Sequence, residues 1–192
     1  MVEEARLADT GAGLVPQSDG WFVLNVRDAA WMQHDVFGAR CGFETDGRIA
    51  REQPQLEVQQ HPQVGFKLHV LRPGKPSTMY HRESDQEGFL VLSGECLLVV
   101  EGEERRLRAW DFFHCAPGTT HSFVGAGDDP CVILMVGART DDRTILYPRD
   151  ELALRHGAGV EQDTPSPQEA YARFAHWRFG RPDRWDEAPW NR

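Results

Sequence analysis

The sequence is poor in cysteine, and no two of its cysteines lie close together in the chain. Cys41, Cys96, Cys115 and Cys131 are the only four, and they form no Cys-x-x-Cys pair of the kind found in zinc ribbons and thioredoxin-type redox sites. We interpret them as free, buried thiols of a reducing compartment. A chain of 192 residues can bury a hydrophobic core without disulfides.

Long apolar runs and clustered positive charge are also missing. No apolar stretch approaches the ~20 residues that cross a bilayer, and residues 1–10 contain two glutamates in place of the apolar core of a signal peptide. The formal net charge is -9 and the basic residues are scattered, which disfavours nucleic-acid binding. We therefore expect a cytoplasmic protein that binds neither membrane nor nucleic acid.

Two motifs for nucleotide and DNA binding are absent as well. Gly11-Ala12-Gly13 lacks the third glycine and the preceding strand of a dinucleotide-binding loop. The sequence also has no helix-turn-helix pattern, so a DNA-binding regulator is not expected.

Short apolar runs separated by Gly, Pro, Asp and Ser fill the middle of the chain, which predicts an all-β domain. Gly94 between two such runs indicates a hairpin that joins residues 89–92 to 96–100. This many antiparallel strands need their edges covered, and closure into a jelly-roll barrel does so. The predicted strands are residues 64–71, 89–92, 96–100, 105–107, 112–115, 121–124 and 131–136.

The flanking segments divide the chain into three predicted parts. Residues 1–63 form an N-terminal extension with extra strands at 21–26 and 35–41 and a polar loop at 48–61. Residues 64–147 form the barrel. Residues 148–192 carry a helix at 150–155 and a second helix that begins at the capping box after Ser166 and runs to about 176. The aromatic tail beyond it should pack on the barrel or on a partner subunit; its large rings are Trp177, Phe179, Trp185 and Trp190.

Four side chains offer donor atoms for a metal ion. His81 and Glu83 are two residues apart, so on a strand they share one face. Glu87 opens the strand that follows, and His121 begins a later strand after Pro117-Gly118. Imidazole and carboxylate together suit divalent transition metals.

The spacing of these residues resembles the cupin family. The first cupin motif, G-x5-H-x-H-x3,4-E-x6-G, is similar to His81-x-Glu83-x3-Glu87-x6-Gly94, with Gly74 before it one residue further away than the pattern asks. The second motif, G-x5-P-x-G-x2-H-x3-N, is matched by Asp111 and by Gly118-x2-His121, since the family's aspartate follows the first glycine of that motif. The resemblance covers about residues 64–140.

The chain departs from the cupin pattern at four positions. Glu83 stands at the second histidine of the first motif, and Trp110 at the first glycine of the second. Ala116 replaces the proline, although Pro117 follows it, and Gly125 replaces the asparagine. These changes leave the turn and strand pattern intact, and they leave Glu83 as a ligand, a hydrogen-bond acceptor or a base.

The resemblance implies a cupin-type double-stranded β-helix with one divalent ion, Fe, Mn, Zn or Ni, held by His81, Glu83, Glu87 and His121. Cupins of this kind act on small molecules as dioxygenases, isomerases or decarboxylases, and others bind a ligand or metal without turnover. The resemblance also implies a homodimer.

Further residues are expected near the ion. His114, Cys115 and Tyr80 are candidates to contact the ligand histidines, although strand parity turns Tyr80 and Arg82 away from His81. His69 either lines the lumen or is a hydrogen-bonded core histidine. The predicted barrel lining is Phe66, Leu68, Phe89, Val91, Leu98, Phe123 and Leu134.

Overall fold

The computed structural model describes residues 1–44 and 63–191, and its described part is built mainly from antiparallel strands. The helices are α1 (Glu151–Arg155) and α2 (Pro167–Ala170), with short 3₁₀ turns at Trp185–Glu187 and Pro189–Asn191. The strands are β1 (Leu7–Asp9), β2 (Leu14–Pro16), β3 (Trp31–His34), β4 (Gly38–Gly42), β5 (Val64–Leu71), β6 (Arg82–Glu83), β7 (Glu87–Ser93), β8 (Glu95–Val100), β9 (Glu103–Arg108), β10 (Phe112–Cys115), β11 (His121–Ala126), β12 (Cys131–Ala138), β13 (Ile145–Leu146) and β14 (Arg178–Phe179).

Two sheets form the barrel and enclose its core. One has seven strands in the order β10-β7-β12-β5-β4-β3-β14, and the other has three in the order β11-β8-β9. Strands β1 and β2 pair with each other, as do β13 and β6. The predicted all-β jelly-roll barrel is confirmed, and each central strand lies where the sequence pattern placed it.

The predicted hairpin between β7 and β8 is wrong, because the chain changes sheets at Gly94. Strand β7 pairs with β10 and β12, whereas β8 pairs with β11 and β9. Gly94 has a φ of 72°, and a Cβ there would lie 2.6 Å from the carbonyl oxygen of Pro130. The glycine therefore serves a sharp crossover between the sheets, which a pattern of apolar runs cannot distinguish from a hairpin.

The hairpin in this region joins β8 to β9. Val100 pairs with Glu103, and the two residues between them, Glu101 and Gly102, have φ angles of 47° and 76°. Positive φ at both central positions is the type I′ geometry that matches the twist of the flanking strands.

The barrel interior is apolar, and alternation along the strands decides which side chains reach it. Of the predicted lining, Phe89, Val91, Leu98 and Phe123 lie in the inner core with Ile133. The prediction was wrong for three others, because the inward positions of β5 and β12 are the odd-numbered ones. Phe66 is 41% exposed, and Leu68 and Leu134 pack on the outer face in the cluster around Trp31.

The N-terminal strands differ from those predicted. Residues 22–26 form no strand, and Trp21 makes only an isolated bridge to Glu4. The strands that do form are β1 to β4, of which β4 overlaps the predicted segment 35–41. The predicted loop at 48–61 lies outside the described residues.

The C-terminal helices begin as predicted. Asp150 accepts a hydrogen bond from the backbone N–H of Ala153, and Ser166 accepts one from the N–H of Glu169. Gly157 follows α1 with a φ of 71°, which is the usual helix-ending conformation. The second helix is shorter than predicted and ends at Ala170, because the chain turns there and brings the rings of residues 171 and 174 against Phe37.

The tail returns to the barrel and packs on it. Strand β14 pairs with β3, and Trp177 is buried. The rings of Trp185 and Trp190 lie 5.6 and 5.3 Å from the ring of Trp31, which is fully buried. All four cysteines are free and buried, as expected. Among the described residues, no helix has the length and apolar character needed to cross a membrane.

Candidate metal centre

His81 and His121 are brought together by their own backbones. The N–H of His121 donates to the carbonyl of His81 at 2.8 Å, and the N–H of His81 donates back to His121 at 3.1 Å. A turn precedes His121, in which the N–H of Thr119 donates to the carbonyl of Ala116 and Gly118 has a φ of 82°. The Pro-Gly pair therefore forms the type II turn that its sequence favours, and it directs the chain into β11.

Both imidazoles are oriented through the same ring nitrogen. Nδ1 of His81 lies 2.7 Å from the carbonyl oxygen of Met79, and Nδ1 of His121 lies 3.2 Å from that of Thr119. Because a carbonyl oxygen only accepts hydrogen bonds, Nδ1 carries the proton in each ring. The Nε2 atoms are therefore left with free lone pairs, which is the form in which histidine binds metals.

Glu87 completes a group of three donors. It opens β7, opposite Cys115 on β10 and Gly137 on β12, and its Oε2 lies 3.5 Å from Nε2 of His121. One donor atom from each of His81, Glu87 and His121 lies within 4.8 Å of the others. An ion bound at about 2.1 Å from each donor needs the donors roughly 3 to 3.5 Å apart, so the residues fit a metal ion after a small contraction.

Burial sets the protonation of this group. Burial, followed by the nearby charge of His121, lowers the pKa of His81 to about 3, and burial lowers the pKa of His121 to about 4. Burial and the charge of Glu83 raise the pKa of Glu87 to about 7. At neutral pH the imidazoles are neutral, and a cation would favour the ionised form of the carboxylate.

Glu83 lies beside this group of three. Its Oε1 is 3.7 Å from Nε2 of His81, and its Oε2 is 3.2 Å from Nη1 of Arg143. One carboxylate oxygen is thus held by the guanidinium while the other faces the histidine. The backbone of Glu83 is also fixed, because its carbonyl accepts the N–H of Gly118 at 2.7 Å.

Comparison with known proteins identifies the central segment. Residues 67–137 match the model of the cupin domain, and they include Glu87 and both histidines. This segment is a cupin domain. No curated protein matches the chain.

Several solved structures are similar to the chain. A sugar phosphate isomerase of the cupin superfamily from Silicibacter pomeroyi has a TM-score of 0.53 and 21% identity, over 68% of this chain and 88% of its own. An RmlC-like cupin from Shewanella frigidimarina has a TM-score of 0.48 and 14% identity, over 66% and 96%. The polyketide cyclase RemF from Streptomyces resistomycificus has a TM-score of 0.49 and 14% identity, over 62% and 80%. At 21% identity, the likeness to the Silicibacter pomeroyi protein shows the fold alone.

The other residues singled out in the sequence lie at different distances from this cupin site. Sγ of Cys115 is 3.4 Å from Nδ1 of His121, and burial raises the pKa of the thiol to about 12, so it is a neutral neighbour. His114 is exposed on the outer side of β10. His69 is buried, with Nε2 2.6 Å from the carbonyl oxygen of Phe37. The hydroxyl of Tyr80 accepts the N–H of Gly102.

Aromatic rings surround the two histidines. The ring of His121 lies 5.0 Å from Phe89 and 5.9 Å from Phe113, and the ring of His81 lies 5.6 Å from Tyr147. These rings exclude water from the back of the site, and this is the physical reason that the imidazole pKa values are low.

Sequence reasoning missed the basic residues of the site. Lys67 shares the inner face of β5 with His69, so the same parity that was applied to His81 would have found it. Arg143 lies in the loop after β12, 60 residues from its partner Glu83, and no motif or spacing signals that contact.

Proposed function

We propose that this cupin is a metal-dependent enzyme that acts on a small molecule, with a divalent ion held by His81, Glu87 and His121. The observation that carries the proposal is the fixing of both imidazoles through Nδ1 to backbone carbonyls. Histidines that only fill a core need no arrangement in which a nitrogen of each ring and a carboxylate oxygen lie within 4.8 Å of one another. The ion could be iron, manganese, zinc or nickel, because imidazole and carboxylate suit all four.

The ion would supply Lewis acidity and open coordination positions, as iron held by two histidines and one carboxylate does in non-haem iron sites. The chain itself supplies the orientation of the donors and the exclusion of water. Phe89 and Phe113 cover the imidazole of His121, so a substrate would approach from the side of the carboxylates.

Glu83 is assigned one of two roles in this proposal. As a base, its Oε1 would accept a proton from the substrate while Arg143 holds the other oxygen in place. As a fourth ligand, the same Oε1 would turn from His81 to the ion. A positioned base favours isomerisation through proton abstraction, whereas an open metal position favours dioxygen insertion, or decarboxylation with the ion as the electron sink.

Metal analysis tests the proposed centre. Protein purified without added metal should contain close to one divalent ion per chain, and His81→Ala should lose it. His114→Ala is the matched control, because His114 is exposed on β10 and its loss should leave the metal content unchanged. Equal metal in wild type and His81→Ala would contradict the assignment.

Metal analysis of a Glu83 variant, together with activity measurements, separates the two roles of Glu83 and the two classes of function. Glu83→Gln should retain the ion if the residue is a base and lose affinity for it if the residue is a ligand. Iron together with oxygen consumption on addition of keto acids would support an oxygenase. Tightly bound zinc or nickel without turnover would support the alternative, a cupin that binds a small molecule or metal without catalysis.

We expect a homodimer in a reducing compartment such as the cytoplasm. The outward faces of β5 and β10 carry Phe66 and Phe112, which are 41% and 63% exposed, and an apolar sheet face of this kind suits a second copy. Sedimentation at micromolar concentration should give twice the chain mass of 21.8 kDa; a monomer would refute the expectation.

A further inference from the structure

A cavity of about 280 Å³ opens beside the proposed metal centre and meets it at Glu83 and Glu87. Its wall is basic although the chain as a whole carries a net charge of -9. The four basic residues that line it come from β4, β5 and the loop after β12, and they are Arg40, Lys67, Arg139 and Arg143. A divalent ion would neutralise the two carboxylates, so the wall would retain a positive charge.

Glycines make room for this cavity. Gly137 on β12 pairs with Glu87 on one side and with Gly65 on the other. A Cβ at Gly65 would overlap the guanidinium of Arg139, whereas a Cβ at Gly137 would lie 3.6 Å from Oε1 of Glu87. The guanidinium of Arg139 therefore occupies the space that a side chain at residue 65 would fill.

Lys67 brings positive charge deeper into the barrel. It is half-buried on the inner face of β5, two residues along the strand from Gly65 and opposite Met135 on β12. It lines the cavity together with Glu83 and Glu87, so its ammonium group adds positive charge on the side of the two carboxylates.

Arg143 lies at the opening of the same cavity. Its guanidinium is half-exposed and holds Oε2 of Glu83 at 3.2 Å. Arg40 differs from the other three basic residues of the wall, because its guanidinium is stacked on the ring of Trp177 at 4.3 Å. Lys67, Arg139 and Arg143 thus form the part of the basic wall that is not stacked on Trp177.

We propose that this cavity binds a small anionic substrate, whose carboxylate or phosphate group is held by Lys67, Arg139 and Arg143. Guanidinium groups present paired donors that match the oxygens of both anions. The remainder of the molecule would then lie against Glu83 and Glu87, next to the ion. The inference rests on the proposed function, because it names the substrate class of the same site.

Calorimetric titration of the full chain tests the inference, in metal-loaded and in metal-free form at fixed ionic strength. The probes are inorganic phosphate, malonate, and malonamide as the uncharged analogue of malonate. At least one anion should bind ten times more tightly than malonamide, and the stronger of the two identifies the group. Lys67→Met and Arg139→Gln should each weaken that binding about tenfold, the usual size of a lost charged hydrogen bond.

Two further variants separate charge from position. Gly65→Ala keeps every charge but displaces the guanidinium of Arg139, so it should weaken anion binding as well. Arg106→Gln is the control, since Arg106 is exposed on β9 and pairs with Glu95 outside the cavity. Anions that bind no better than malonamide, or equally well to all variants, would overturn the inference.

Metal analysis of the same samples keeps the two proposals distinct. If wild type binds a divalent ion but shows no preference for anions, the substrate class is wrong and the metal centre stands. If it binds no ion yet prefers anions in a way that depends on Lys67 and Arg139, the anion site stands and the metal centre fails.

Discussion

The aromatic cluster around Trp31 and the three donors of the proposed metal centre are both buried, but burial has opposite energetic consequences for them. Trp31, Trp185 and Trp190 gain stability when their rings leave water. His81, His121 and Glu87 are driven towards their neutral forms by the same loss of water. One region stabilises the fold, and the other keeps neutral polar groups inside the barrel, where we propose that they bind a cation.

Truncation of the central tryptophan should have the largest effect. Trp31→Ala should lower the free energy of unfolding by about 3 to 5 kcal/mol, because it removes a fully buried ring and leaves a cavity. Urea unfolding followed by circular dichroism measures the loss. Trp21→Ala, at a ring that is 53% exposed, should cost less than about 1 kcal/mol.

The proposed metal centre should survive this loss of stability. Folded Trp31→Ala should bind as much metal as wild type under conditions where both are folded, because the tryptophan lies on the outer face of the seven-stranded sheet. Loss of metal from the folded variant would show that the two regions are energetically coupled.

Acid should destabilise the metal-free protein through its buried histidines. His69, His81 and His121 have pKa values of about 3, 3 and 4 in the fold, against 6.5 when unfolded. Below pH 6.5 the unfolded chain binds protons that the folded chain refuses, so stability falls as the pH falls. Glu87 acts in the opposite sense between pH 7 and 4.5, because its raised pKa lets the folded state take up a proton.

One carboxyl offsets only one of three imidazoles, so the net change from pH 7 to pH 5 should be a loss on the order of 3 kcal/mol. Urea unfolding at a series of pH values measures it. His69→Leu should flatten the profile by removing one of the three groups. A stability that is constant or rises between pH 7 and pH 5 would refute this account.

A small gain should come from the surface at Trp110. This residue is 75% exposed and has a φ of 75°, a conformation that costs a residue with a Cβ roughly 1 to 2 kcal/mol. Trp110→Gly should therefore stabilise the protein by about 0.5 kcal/mol after the added freedom of the unfolded chain is counted. Trp110→Ala keeps the strain, so it should be less stable than the glycine variant; thermal unfolding compares them.

Part of the fold and of the site followed from local signals. Apolar runs placed the central strands, and Pro117-Gly118 and the caps at Asp150 and Ser166 placed turns and helix starts. The spacing of His81, Glu87 and His121 picked out the residues that the structure brings within 4.8 Å. The apolar runs, turns and caps act over a few residues, so they can be read without knowledge of the tertiary structure, whereas the set of donors spans two motifs and was implied by the resemblance to cupins.

Other features depended on contacts between distant residues. The change of sheet at Gly94, the ion pair of Arg143 with Glu83, and the packing of Trp185 on Trp31 each join segments whose sequences contain no sign of the partner. The inward face of β5 was misassigned for a similar reason, because its apolar residues are needed under the tail and its polar ones in the lumen.

The sequence by itself therefore determined the positions of the central strands, the Pro117-Gly118 turn and the helix starts, since backbone preference is a local property. Its likeness to cupins pointed to three residues that the fold brings together. The tertiary structure decided which sheet each strand joins, which face meets the core, and that positive charge surrounds the cavity beside Glu83 and Glu87. Those outcomes depend on burial and on electrostatic fields, and both arise only when remote parts of the chain share one space.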